Sequence, residues 1–150
     1  MNFTPRKVNL YLAVRVPAAW WCGVRVRRID DDSCTVSVRH RWFNQNPFRS
    51  MYFAVQAMAA EISTGTLLMR QLRASSGDLS MLLAGTEARF TKKARGLIRF
   101  ECRDGAAARA AVERALASRE PQLLRMRSTG LDAANVQVAE LYYDWTLKQR

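Results

Sequence analysis

Carboxylates are scarce in this chain. Thirteen Asp and Glu face twenty-four Lys and Arg in 150 residues, a formal net charge of +11 at pH 7. That balance predicts attraction for anions, whether nucleic acid, an acidic protein, a membrane surface or a phosphorylated small molecule. Arginine supplies most of the excess, and its planar fork suits bidentate contacts to phosphate and carboxylate. Cysteine is scarce too. Cys22, Cys34 and Cys102 are an odd number without paired spacing, which argues against a disulfide framework and against a zinc site. They are expected to be small buried hydrophobes in a reducing cytosol. Histidine is nearly absent: His40 has no second ligand beside it for a metal site, and its place on an inward strand face gives it a structural role. No metal and no cofactor is expected. Ser50 has no histidine or acid at triad spacing, so a serine hydrolase is disfavoured.

Long hydrophobic runs are missing as well. Val8 to Val14 is apolar enough to resemble a leader, but Arg15 breaks it, and Trp20-Trp21 stands where a small-residue cleavage site would be needed. The central stretch is long enough to span a bilayer, yet Gln56, Glu61, Ser63, Thr64 and Gly65 make it too polar. The expectation is a cytoplasmic protein of one domain, residues 1–150, with no repeat, linker or low-complexity segment.

What is present is organised around Asn44 to Leu72. Between Arg49 and Arg70 the only charge is Glu61, and Met51, Phe53, Val55, Met58 and Ile62 would wrap every face of a helix. A helix apolar all round is a buried one. A carboxylate inside it is costly unless paired, hydrogen-bonded or neutralised. Asn46-Pro47 fits an N-cap with proline in the first helical position, so the central helix is expected over residues 46–72. Ser50 is a second candidate cap, and Gly65 is expected to weaken or end the helix.

Around that helix the pattern is mixed. Residues 3–15 form a short amphipathic helix opened by Thr4-Pro5 and stopped by Pro17, with Trp20 and Trp21 docking it. Gly23 to Ile29 and Cys34 to Phe43 alternate with period two across a polar turn, Asp30 to Ser33, which predicts an antiparallel hairpin. Val36, Val38, His40 and Trp42 would share its core face. Leu79 to Phe90 and Gly96 to Arg103 read as further strands around the basic turn Thr91 to Arg95. Asp104-Gly105 then opens an alanine-rich external helix, Ala106 to Arg119, with an apolar stripe at Val112 and Leu116. Gln122 to Ser128, a turn at Thr129 to Asp132, and Asn135 to Leu147 complete the order. In the last strand the apolar positions move from even to odd, which predicts a bulge or an entry into a second environment. The fold class is α+β: six strands in one curved antiparallel sheet around a central helix. Such a sheet keeps two open edges, and pairing of an edge with a second copy is the natural remedy.

Asn46-Pro47-Phe48-Arg49-Ser50-Met51-Tyr52-Phe53 running into Ala57-Met58-Ala59-Ala60-Glu61, in that order of elements, resembles the hotdog-fold thioesterase superfamily. Within it the sequence is most similar to a thioesterase-like branch of unknown function. The resemblance implies a hotdog fold, a homodimer with continuous sheet, or a dimer of such dimers, and an acyl-CoA or acyl-carrier-protein thioester bound in a tunnel between subunits. It further implies catalytic roles for Glu61, as base or nucleophile, and for Asn46, with Ser50, Tyr52 and Phe53 in substrate binding. The oxyanion donor falls on the N–H of Phe53. Physical chemistry supports these places: a helix start presents free N–H groups and a positive dipole end. An acid in an apolar helix has a raised pKa, suited to base catalysis near neutral pH. Met51-Tyr52-Phe53 stands where catalytic branches carry a glycine pair.

Other readings remain beside these. Glu61 could be a buried acid satisfied by an arginine or by Tyr52, and Asn46 could be a cap alone. The arginine pairs Arg25/Arg27, Arg39/Arg41 and Arg125/Arg127 could be a solvated face, or a surface for the phosphates of coenzyme A or an acidic carrier. The whole could be a non-catalytic acyl-binding or partner-binding module on the same fold. Nucleic acid is disfavoured, for want of interleaved aromatics or a recognised motif.

Overall fold

The computed structural model describes residues 3–150. Thr4 caps the first helix, α1 (Pro5–Arg15): its hydroxyl accepts from the Lys7 N–H at 3.4 Å, and Pro5 sits where a missing N–H costs nothing. Pro17 does stop α1, and at once starts a five-residue helix, α2 (Pro17–Trp21). Only one tryptophan docks. Trp20 is partly buried with the Arg25 guanidinium 3.4 Å above its ring, whereas Trp21 is 75% exposed. Consecutive helical residues point about 100° apart, so a single wall accepts one of them.

The predicted hairpin forms from β1 (Arg25–Ile29) and β2 (Cys34–Arg39), turned by Asp30, whose carboxylate accepts the N–H groups of Asp32 and Ser33. β2 stops short of Phe43. Asn44 bends the chain into a 3-10 turn, Trp42–Asn44: its amide accepts from the Arg41 N–H at 2.8 Å and donates to the carbonyls of Arg39 and Cys22. Trp42 is thereby turned into solvent instead of joining Val36 and Val38 in the core.

The central helix, α3 (Phe53–Ala74), starts seven residues later than Asn46. Asn46 does not cap it. Asn46 and Pro47 open a tight turn closed by the Arg49 N–H on the Asn46 carbonyl, the position proline favours in such turns. Arg49 follows in the left-handed region at φ 60. Ser50 does not cap the helix either; Tyr52 precedes its first residue and no side chain bonds to its open N–H groups. Gly65 does not end it. A Cβ there would lie 3.2 Å from the Trp145 indole, so the glycine is what lets helix and sheet approach.

β3 (Leu79–Phe90), β4 (Leu97–Cys102), α4 (Gly105–Ser118), β5 (Gln122–Leu131) and β6 (Gln137–Gln149) complete the chain. The sheet is antiparallel throughout, in the order β1-β2-β4-β5-β6-β3, and curls round α3. β5 runs on through the turn expected at Thr129 to Asp132. The reversal comes later, where the Asp132 carboxylate takes the N–H groups of Ala134 and Val136. Gly130 belongs to the strand because Phe100 occupies the space its Cβ would need, 2.7 Å away. The predicted bulge is in β6: Gly130 faces Ala139 and Leu131 faces Gln137, leaving Val138 extra, so Val138 and Ala139 are both buried. α4 lies against α3 through Ala108, Ala111, Val112 and Ala115. Its buried stripe is thus mainly alanine, with Leu116 only partly covered.

The core lies between α3 and the concave sheet face, where Val36, Ile98, Phe100, Met126 and Leu141 meet Ala59, Ala60, Leu67 and Leu68. The polar residues of α3 buried there find partners across the interface. Ser63 and Ser128 hydroxyls are 2.7 Å apart, Trp145 Nε1 donates to Thr64 at 3.1 Å, and Tyr143 Oη donates to the Ala57 carbonyl at 2.7 Å. Each such bond contributes about 1 kcal/mol net, and more is lost if one partner is removed. Cys34 and Cys102 are opposed in register, unbridged, and held protonated by burial, the Cys102 thiol being pushed up to about 12. Among the described residues no helix is long and apolar enough to cross a membrane.

Candidate active site

Of the cavities that open along α3, two touch site residues singled out in the sequence. At its N-terminal end, the N–H groups of Val55 and Gln56 bond back to the Tyr52 carbonyl at 3.0 and 3.3 Å. The N–H groups of Phe53 and Ala54 find no acceptor among the described residues, and the first turn holds no acid. Phe53, at the positive end of the helix dipole, lines a cavity of about 560 Å³ walled also by Asn46, Ser50 and Tyr52. The rings of Tyr52 and Phe53 meet edge to face at 5.0 Å, and Phe53 meets Phe90 at 6.3 Å.

The structure therefore brings four of the five predicted site residues together, but it occupies Asn46 with local work. Its Oδ1 accepts the N–H groups of Phe48 and Ser50 at 3.0 and 3.2 Å, and its Nδ2 donates to Ser50 Oγ at 3.2 Å. Asn46 and Ser50 thus clamp the turn that delivers Phe53 to the cavity wall.

Glu61 stands apart from this group. Eight residues beyond Phe53, at 1.5 Å rise per residue, it lies about 12 Å further along the axis. It lines a second cavity of about 260 Å³, with Tyr11 and Leu12 of α1, Met69 of α3 and Trp145 of β6. Among the described residues no hydrogen bond or ion pair reaches its carboxylate, and burial raises its pKa above the usual carboxylate range. Neither Tyr52 nor an arginine neutralises it. The neighbouring Tyr143 hydroxyl is raised as well, by its own burial and then by the Glu61 charge, so it serves as a neutral donor.

Sequence reasoning passed over Gln56. It is 4% exposed and lines the larger cavity; its Nε2 donates to the Met51 carbonyl at 3.2 Å while its buried Oε1 has no partner. A lone amide in the first turns of an otherwise apolar helix was a legible signal. Phe90, Lys92 and Lys93, which also line that cavity, were hidden at a strand end and in a turn read only as basic.

Of the three strand arginine pairs only Arg125/Arg127 is neutralised; among the described residues no ion pair reaches Arg25, Arg27, Arg39 or Arg41. Arg125 pairs with Glu87 at 2.6 Å and Asp144 at 3.3 Å and stacks over Tyr142, and Arg127 reaches Glu140 at 3.5 Å. No group of three or more His, Cys, Asp or Glu that could hold a metal occurs among the described residues.

Comparison with known proteins agrees with this architecture. Residues 5–147 match a family described as a domain of unknown function, DUF4442. No curated protein matches the sequence. A Pseudomonas aeruginosa protein of unknown function, called a probable thioesterase, superposes with a TM-score of 0.81 at 21% identity, over 98% of this chain and 97% of its own. A thioesterase of Haemophilus influenzae gives 0.75 at 10% identity, over 99% and 93%. Another thioesterase of Pseudomonas aeruginosa gives 0.74 at 11%, over 100% and 97%. The shared architecture is the hotdog fold, and at these identities the likeness speaks for the fold alone.

Proposed function

This chain belongs to the DUF4442 family, and from that footing we propose that it is an acyl-thioester hydrolase working as a homodimer in the cytoplasm. The observation that carries the reading is Glu61: a carboxylate without a protein partner among the described residues, raised in pKa and facing a cavity. Perturbed acids in cavities are the groups that functional sites collect.

In the proposed step, a water attacks the thioester carbonyl carbon while Glu61 takes its proton. The carbonyl oxygen becomes an oxyanion held by the Phe53 N–H and the helix dipole. Collapse expels the thiolate, to which the Glu61 proton passes. In the variant in which Glu61 attacks directly, its carboxylate displaces the thiolate to form an acyl anhydride, and water then cleaves that anhydride to the free acid and the Glu61 carboxylate. Asn46 and Ser50 act as positioning residues that hold the helix start in place, and Tyr52, Phe53 and Gln56 bind the acyl carrier.

One chain cannot supply both halves of that site. The oxyanion donor and the acid must lie within a few ångströms of one carbonyl, yet they are about 12 Å apart along α3. Two copies related by a two-fold axis solve this by pairing the Phe53 end of one helix with Glu61 of the other. The geometry supports β3 as the joining edge. Its partner-free side is twelve residues long, and Glu87 to Phe90 are exposed with no helix over them. Free cysteines fit a reducing compartment. A second reading, an acyl-binding module without turnover, is favoured by Tyr52 and Phe53 standing where a bare backbone would give easier approach.

The test is a panel of acyl-CoA thioesters with thiol detection. Turnover by the wild type that is lost in Glu61→Gln supports the hydrolase. Turnover unchanged in that variant removes Glu61 from the mechanism. Ligand binding without turnover in either protein leaves the acyl-binding module.

A further inference from the structure

Acids are unevenly spread along the chain. The first sixty residues hold nine Lys and Arg and three acids, and those three stand together in the turn Asp30 to Asp32. That turn joins β1 to β2 at one end of the hairpin, where Arg28, Arg70 and Arg109 engage Asp30, Asp31 and Asp32. The opposite end, where β1 begins and β2 stops, is left to cations and aromatic rings.

Val26, Val36 and Val38 turn inward, so alternation puts Arg25 and Arg39 on the outer face of the hairpin, either side of Ser37. Arg27 reaches the same face, donating from Nε to Ser37 Oγ at 2.7 Å. The Arg25 guanidinium is held below its ordinary pKa by burial first, then by the charges of Arg27 and Arg41, so three cations share one field. Among the described residues no ion pair reaches any of these four arginines.

The rings stand beyond the strand ends. Trp21 closes α2 just before β1, and Trp42 and Phe43 lie in the turn just after β2. Trp21 is the exposed half of its pair, and Trp42 and Phe43 are 83% and 61% exposed. Asn44 ties the two segments together, donating from Nδ2 to the Cys22 carbonyl at 3.1 Å and to the Arg39 carbonyl at 2.9 Å. Arg25 braces the same junction, donating from Nη1 to the carbonyls of Trp20 and Val24, both at 2.8 Å. Three large rings are thus held in water on a fixed frame beside four unneutralised guanidinium groups, and an exposed apolar cluster of that kind marks an interaction site.

The arrangement is zoned, with rings at the tip and cations behind them. A nucleic-acid platform interleaves the two along one track, so that successive bases can stack. A bilayer asks for the zoned order: indole rings settle at the level of the headgroups, and guanidinium groups meet phosphates in bidentate contact. β1 is also the sheet edge farthest from β3, so pairing of two copies through β3 leaves this corner at the outer end of the sheet.

We propose that this corner docks the protein on the surface of an anionic phospholipid bilayer, with Trp21, Trp42 and Phe43 entering the headgroup layer and Arg25, Arg27, Arg39 and Arg41 against the lipid phosphates. The anionic surface relieves the mutual repulsion of the clustered guanidinium groups. Nothing here depends on Glu61, so the docking surface stands or falls separately from hydrolysis.

The experiment is sedimentation of the whole protein with vesicles of phosphatidylcholine alone and of phosphatidylcholine mixed with phosphatidylglycerol. It is repeated for three paired variants: Arg27→Gln with Arg39→Gln, Trp21→Ser with Trp42→Ser, and Arg73→Gln with Arg114→Gln. The last pair removes the same charge from exposed positions on α3 and α4. All six side chains are exposed, and thermal unfolding confirms that each variant is folded. The wild type is expected to bind the mixed vesicles in preference to the neutral ones, and more weakly as salt is added. At about fivefold per arginine, the Arg27/Arg39 pair is expected to bind about 25-fold more weakly, with the Arg73/Arg114 pair close to wild type. The tryptophan pair is expected to lose affinity together with most of the fluorescence quenching by brominated lipid that the wild type shows. No binding to the mixed vesicles overturns the proposal, and so does equal binding to both kinds. An equal loss in the two arginine pairs reduces the effect to net charge and overturns it too. A single-stranded oligonucleotide or an acidic acyl carrier protein bound in place of vesicles, and released in the tryptophan pair, overturns it in favour of that partner. A larger oligomer that the tryptophan pair dissolves, without vesicle binding, overturns it in favour of an interface between copies.

Discussion

Around Phe53, α3 offers open backbone donors beside aromatic rings, with Lys92 and Lys93 on the cavity wall. Eight residues on, around Glu61, it offers one unpaired acid among apolar walls supplied by α1, β3 and β6. The same helix thus presents a positive, polar-lipped cavity at its start and a small negative one near its middle. A start of helix is electropositive through backbone geometry alone, so no special side chain is needed there. A mid-helix position has all its backbone groups bonded and can contribute chemistry only through a side chain, which must then be left unneutralised. Binding and polarisation fall to one region, proton transfer to the other, and a second copy of the chain is what would bring them together.

The comparison can be broken most sharply at Glu61. Replacing its acid by an isosteric amide, Glu61→Gln, is expected to lower kcat for an acyl-CoA by about 10²- to 10⁴-fold with little change in KM, measured by thiol release. A comparable loss in KM alone would place Glu61 in binding. At the other region the backbone itself can be edited. Phe53→Pro puts proline in the first helical position, where the extended backbone of Tyr52 (φ −60, ψ 136) accepts it, and deletes the proposed oxyanion donor while keeping the helix. The expected loss is about 10²- to 10³-fold in kcat, with Phe53→Ala as the control that removes only the ring. Refolding Glu61→Gln and Phe53→Pro chains together should recover roughly a quarter of wild-type turnover, because half of the dimers then hold one intact composite site. No recovery would confine each site to a single chain.

A smaller effect tests the environment of the acid. The folded state raises the Glu61 pKa, so it holds that proton more tightly than the unfolded chain does. This contribution to stability is full below the unfolded carboxylate range and is lost as pH rises through the folded pKa. Glu61→Gln should flatten that part of the Tm-against-pH curve and raise Tm above the folded pKa, where the wild-type carboxylate is charged and underhydrated. Smallest is the packing that sets the helix between the two regions. Tyr143→Phe removes a donor from the Ala57 carbonyl and should cost about 1 kcal/mol in denaturant unfolding, with turnover falling less than in either site variant.

How much of this was legible depended on the range of the interactions involved. Alternation from Cys34 to Val38 and from Leu124 to Ser128 revealed the strands, because a half-buried strand repeats its burial every second residue. The lone acid of an apolar helix revealed Glu61. The start of α3 was misplaced because Asn46-Pro47 serves a turn as well as it serves a cap; hydrogen bonds among Asn46, Phe48, Ser50 and Met51 chose the turn. Gly65 looked like a helix end because the Trp145 ring that needs its missing Cβ is eighty residues away. The basic turn beside the Phe53 cavity was invisible for the same reason, since Lys93 and Arg95 meet the Phe48 and Arg49 carbonyls across forty-five residues of chain or more.

The sequence by itself determined the sign of the surface, the central helix with its single acid, the antiparallel sheet and the bulge in β6. Each of these follows from composition or from a burial pattern with a short period. Only the tertiary structure decided that Asn46 clamps a turn, that Glu61 and Phe53 open onto different cavities, and that Arg125 and Arg127 meet carboxylates while Arg25, Arg27, Arg39 and Arg41 meet none among the described residues. Those outcomes depend on which distant residues are brought together, and no local periodicity encodes that.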